Sequence, residues 1–178
     1  MPEVWFYHLV RQPLDKVLPA LLEKAAARGL RIVVQCNAPE RVDALDAALW
    51  TYREDSFLPH GAARDGDAEL QPVYLTTGDE NPNGATMRIF ADGARADDAV
   101  ASGFADDYER LILMFDGNDE EALSDARAQW KFFKDADYTL SYWQQNENGG
   151  WEKKAEHKPE AKDSSKDSSK DSSKVSPE

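Results

Sequence analysis

The chain has 178 residues, 41% of them hydrophobic and 10% aromatic, which suits one folded domain that buries a sizeable core. Its formal charge of −13 is unevenly placed: residues 152–178 hold seven Lys and seven acidic residues, leaving 14 cationic against 27 acidic residues in the first 151. A body this acidic repels phosphate backbones, so direct nucleic-acid binding is not expected. The single cysteine, Cys36, excludes a disulfide within the chain and reads as a small buried hydrophobe. The opening MPEVWFYHLV has no basic stretch ahead of a long apolar run and nothing approaches 18 consecutive apolar residues, so a signal peptide and a membrane span are not expected and the protein is read as cytoplasmic.

In chain order, VWFYHLV (4–10) is apolar on both faces, which suits a central strand of a parallel sheet. Residues 15–28 place Leu18, Leu21, Leu22 and Ala25 on one helical face, with Pro19 expected in the first turn and Gly29 as the stop. The strand LRIVVQC (30–36) follows. Pro39 opens a second helix with the stripe Val42, Leu45 and Leu49. PVYLTT (72–77) and ATMRIF (85–90) flank the loop GDENPNG and suggest a hairpin. ERLILMFD (109–116) is a further strand, after which Asn118 is an N-cap candidate with acids in the first turn, for a helix to about Lys134. YTLSY (138–142) closes the domain. This alternation predicts an α/β fold, a mostly parallel sheet with helices on both faces, like Rossmann and P-loop topologies but without the phosphate loop. The domain is expected over 1–150. Residues 151–178, with three Asp-Ser-Ser-Lys repeats and little apolar content, are expected to be a disordered low-complexity tail.

Catalysis finds little support. Neither GxxxxGK[ST] nor GxGxxG occurs, and RQPLDKV after the first strand has no glycine to let the backbone approach a phosphate. A nucleotide-dependent α/β enzyme is therefore the weaker alternative. His8, His60 and His157 are far apart, so no metal site is expected, and DGNDEE (116–121) lacks the later glycine and glutamate of a calcium loop. His60, near Glu54 and Asp55, has only Ser56 nearby as a nucleophile and reads better as a structural or surface histidine. No catalytic residue, cofactor or metal is expected.

Two helical faces stand out. Trp50 lies about 80° from Val42 on the helical wheel, at the charged edge of its stripe. It is either covered by the following loop or, with Phe57, an anchor for a partner. In the last helix Ala122, Leu123, Ala126, Trp130 and Phe133 form the apolar face, while Arg127, Lys131 and Lys134 project together beside Trp130. That is either a solvated basic face at a helix C-terminus or a site for an anion with an apolar neighbour.

LDAALWTYREDSFLPHG (45–61) resembles the Leu-Asp-x-x-Leu-Trp and Ser-Phe-x-Pro-His segment of the chi subunit family of bacterial DNA polymerase III, and ARAQWKFFKDADYTL (126–140) and FYHL (6–9) agree with it. The resemblance covers about residues 1–143. It implies a non-catalytic accessory subunit of the clamp-loader assembly that binds the acidic C-terminal tail of single-stranded DNA-binding protein and the psi subunit. Carried over, Arg127, Trp130, Lys131 and Lys134 would hold the acidic tail, and Trp50 and Phe57 would face psi or its equivalent. An accessory subunit for a repair helicase, using the same Trp50 surface, is an alternative. Trp130 stands where the family more usually has Tyr, Lys134 where Arg is common, and the tail is additional.

Overall fold

A computed structural model describes residues 1–55 and 57–160. Ser56 and residues 161–178, which hold most of the expected tail, lie outside the described residues. The strands β1 (Glu3–Leu9), β2 (Ile32–Gln35), β3 (His60–Ala62), β4 (Val73–Thr76), β5 (Met87–Phe90), β6 (Arg110–Asp116), β7 (Leu140–Gln145) and β8 (Trp151–His157) form one sheet in the order β3-β4-β2-β5-β6-β1-β7-β8. All neighbours are parallel except β7 and β8. The central strands are apolar on both faces because both faces are covered. Helices α1 (Leu14–Ala27) and α2 (Pro39–Thr51) pack with Leu9, Ile32, Val34 and Ile112. The short α3 (Ala96–Ala101) and α4 (Glu120–Asp135) cover the opposite face with Val4, Phe6, Leu111 and Leu113. The expected α/β class, with helices on both faces, is what the chain adopts.

Local chemistry accounts for most boundaries. Helix α1 stops at a Schellman turn: Gly29, at φ +74°, donates to the Ala26 carbonyl and Leu30 to that of Ala25. Pro19 is not in the first turn, as expected, because α1 already starts at Leu14, directly after Pro13; it lies inside the helix and is buried. Helix α4 is capped by Asp119 rather than Asn118: the Asp119 carboxylate accepts from the Glu121 and Ala122 amides, 2.9 and 3.2 Å away. Asn118 instead donates across to the Val10 carbonyl. Cys36 is fully buried, which pushes its thiol up to about 12.

Three elements depart from the sequence expectations. Strands β4 and β5 are no hairpin; they flank β2 on opposite sides, both parallel to it. Residues 77–86 therefore return the chain from the end of β4 to the start of β5, a crossover without a helix. The fully buried Arg88 holds it, donating to the carbonyls of Gly78 and Glu80, to Gln35 Oε1 (2.6 Å) and to the Tyr108 hydroxyl (2.8 Å). The second departure is β3, three residues that begin on the histidine of the quoted Ser-Phe-x-Pro-His segment and are too short for any periodic signal.

The third is the start of the expected tail. Residues 151–157 are β8, antiparallel to β7, with Trp151 edge-on to Tyr7 at 4.7 Å. Most β8 side chains are exposed, so their composition reads as unstructured; backbone pairing along β7 and the ring contact hold the strand in place. The sheet extends past residue 150.

Candidate functional site

The carboxyl ends of β1, β2, β5 and β6 open into a crevice of about 1130 Å³, where sheets of this kind commonly take ligands. Its polar lining suits no phosphate. Arg41 pairs with Asp92 (3.0 Å), Arg95 with Asp97 (2.7 Å) and Arg11 with Glu147 (3.5 Å), while Asp15, Asp116 and Asp119 add negative charge. Among the described residues no group of three or more His, Cys, Asp or Glu converges as metal ligands, and no helix is long and apolar enough to cross a membrane.

Two surfaces carry the residues singled out in the sequence. At the C-terminal end of α2, Trp50 is 53% and Phe57 73% exposed, with their rings 6.0 Å apart. The loop after α2 does not cover Trp50; it brings Phe57 beside it. Beneath them is His60, whose ring centre is 4.6 Å from that of Trp50. His60 is buried, with Nδ1 2.7 Å from the Leu58 carbonyl and Nε2 3.0 Å from the Asp46 carboxylate, so either ring N–H meets an acceptor. The histidine is structural: it ties β3 to α2 under the two exposed rings. Its neighbours Glu54 and Asp55 take no part in that tie; Asp55 pairs with Arg53 at 2.9 Å.

On α4, Ala126, Gln129 and Phe133 face the sheet. Gln129, outside the apolar face read from the sequence, is buried as well: its side-chain oxygen accepts from the Ala96 amide at 3.0 Å and so fixes the start of α3. Arg127, Lys131 and Lys134 are exposed. Lys131 is tied to Asp135 at 2.5 Å, one turn on, whereas Arg127 and Lys134 have no ion-pair partner among the described residues. Trp130 is half-buried and meets Phe6 edge-on at 5.2 Å and Tyr142 at 5.8 Å. Three residues outside the sequence expectation share this surface: His8, Phe115 and Tyr142. Strand register brings them together, His8 standing opposite Phe115 on neighbouring strands, and no local pattern in the sequence announces it.

The fold and these surfaces define an α/β module without a glycine-lined phosphate loop, whose prominent features are an exposed aromatic pair on one helix and an aromatic flanked by cations on another. The family model described as DNA polymerase III chi subunit, HolC, matches residues 1–141, and the chain belongs to that family, an accessory subunit of the polymerase. It is similar to the probable DNA polymerase III subunit chi of Rickettsia prowazekii, 25% identical over 156 residues that cover 87% of this chain and 93% of that one. It is also similar to DNA polymerase III subunit chi of Pseudomonas aeruginosa, 29% identical over 121 residues, 67% of this chain and 78% of that one.

Proposed function

We propose that this chain is a non-catalytic tether of the DNA polymerase III holoenzyme. In this reading α4 binds the acidic C-terminal tail of single-stranded DNA-binding protein, and the Trp50–Phe57 surface docks psi or an equivalent clamp-loader subunit. The observation that carries the reading is the pair Arg127 and Lys134 beside half-buried Trp130: two cations without a carboxylate partner among the described residues, on a chain with 34 acidic residues. Free cations beside an exposed edge of an aromatic ring, in so acidic a surround, offer an anion a local attraction. Lys131 contributes once it exchanges Asp135 for a ligand carboxylate. Coated DNA displays many tails, so weak individual contacts raise the local concentration of polymerase through repeated rebinding.

The test is calorimetry of the protein with a short acidic peptide ending in Phe. Arg127→Glu should weaken binding by about 1–3 kcal/mol, the cost of losing a charge-assisted contact and adding a repulsion. Unchanged affinity would remove α4 as the peptide site. The nucleotide-dependent enzyme is not favoured, because each arginine in the crevice at the strand ends is already paired with a carboxylate.

A further inference from the structure

The chain contains two Asn-Gly pairs, Asn83–Gly84 and Asn148–Gly149, and the fold treats them in opposite ways. Asparagine before glycine is chemically labile, because the glycine amide nitrogen, with no Cβ beside it to crowd the approach, reaches the asparagine side-chain carbon. Asn83 lies in the crossover between β4 and β5 and is 2% exposed. Its Nδ2 donates to the Gln71 carbonyl at 2.9 Å and to the Ile32 carbonyl at 3.3 Å. Asn81 clamps the same turn by exchanging two hydrogen bonds with Ala85. Ring closure at Asn83 therefore has to break buried contacts between the crossover and β2.

Asn148 and Gly149 form the tip of the turn that joins β7 to β8, and both are exposed. The turn is held by Asn146, not by Asn148. The Asn146 side-chain oxygen accepts from the Asn148 amide at 3.0 Å and the Gly150 amide at 2.8 Å, and its carbonyl accepts from the Gly149 amide at 3.1 Å. The Asn148 carboxamide makes no hydrogen bond among the described residues. Gly149 sits at φ +78°, so the turn needs glycine at the very position that makes Asn148 reactive. Opening this tip breaks only local turn bonds, and such local openings are far more frequent than openings of the core.

We propose that Asn148 is a site of spontaneous deamidation in the folded protein and that the fold protects Asn83. The Gly149 N–H proton passes to solvent as the nitrogen lone pair attacks Asn148 Cγ. The new N–Cγ bond closes a succinimide, the Cγ–Nδ2 bond breaks, and Nδ2 takes up a proton from water and leaves as ammonia. Water then opens the ring at either carbonyl, leaving aspartate or isoaspartate at position 148. Either product adds a negative charge near Glu147. Isoaspartate also routes the backbone through the side chain, and the added carbon draws the Gly149 and Gly150 amides away from Asn146. Pairing of β8 starts at Trp151 opposite Gln145, so isoaspartate loosens the strand at the end where Trp151 meets Tyr7.

The experiment ages the full chain at mildly alkaline pH, which deprotonates more of the backbone amide, and follows tryptic peptides 135–153 and 65–88 by mass spectrometry. In the folded protein the first peptide should gain the mass of deamidation at least about 10-fold faster than the second, and in urea the two should gain it at comparable rates. Asn148→Gln, whose longer side chain closes the ring far more slowly, should remove the fast gain. Aged protein should melt about 2–4 °C below fresh protein, whereas Asn148→Asp, which adds the charge without the extra backbone atom, should melt as wild type does. Comparable rates at the two sites in the folded chain would overturn the protection of Asn83. A gain at Asn148 that appears only in urea, or not at all, would overturn the site itself. Aged protein that melts as fresh protein does would overturn the loosening of β8.

Discussion

Single residues decide how the two surfaces are held. Trp50 and Phe57 spend exposed aromatic area on a position that packing alone does not require, above a buried histidine whose two ring nitrogens each face an acceptor. Trp50→Ala should leave the melting temperature and peptide binding intact and reduce co-purification with psi or its equivalent; loss of both activities together would instead indicate a folding defect. Arg88 is the opposite case, a charge with no exposure. Arg88→Met would strand the Gly78 and Glu80 carbonyls and Gln35 Oε1, so urea unfolding should show a loss of about 3 kcal/mol or more with little change in slope. A loss below about 1 kcal/mol would mean that solvent reaches the crossover and replaces the guanidinium. The Arg within ATMRIF was visible in the sequence as a charge inside an apolar run, yet its partners lie 8 to 53 residues away.

At the scale of elements, β8 is the addition with the largest consequence. It pairs with the outer edge of β7, and its Trp151 packs on Tyr7 beside Trp5 and Trp143. Truncation after Gly150 should therefore expose the β7 edge and those rings, lowering the melting temperature and promoting self-association by edge pairing, which size-exclusion chromatography would detect. A monomer of unchanged stability would show that β8 is dispensable. Its signal was present: Asn146, Gly149 and Gly150 punctuate the chain between two seven-residue-scale extended runs, with Gly149 at φ +78° and the Asn146 amide donating to the Gly150 carbonyl at 2.8 Å. The charge of EKKAEH obscured it, because composition reports side-chain burial and an edge strand depends chiefly on backbone pairing. The hairpin expected at 72–90 failed for a related reason. Turn-rich residues mark a loop but not the direction in which the next strand re-enters the sheet.

For the whole molecule, charge is the governing quantity. A formal −13, all of it carried by the first 151 residues, sets a repulsive field toward phosphate, within which Arg127 and Lys134 act only at short range. The protein should thus fail to retain a single-stranded oligonucleotide at about 0.15 M salt, and should retain it once single-stranded DNA-binding protein is added. Fluorescence anisotropy of a labelled oligonucleotide measures both, and direct binding without the second protein would contradict the tether. Arg127→Glu should abolish the second effect while leaving the first unchanged.

Hydrophobic periodicity and the end signals of α1 and α4 were enough to predict the α/β class, the order of the main strands and helices, and the exposed cationic face of α4, because these follow from contacts within a few residues. Cys36 was legible as buried for the same reason. Strand order, register and edges are long-range pairings, and only the folded chain decided them: that β2 separates β4 from β5, that β8 closes the edge beside β7, and that His8, Phe115 and Tyr142 from three strands meet Trp130. A local pattern records which way a side chain faces along its own element. It holds no information on which neighbour that face will meet.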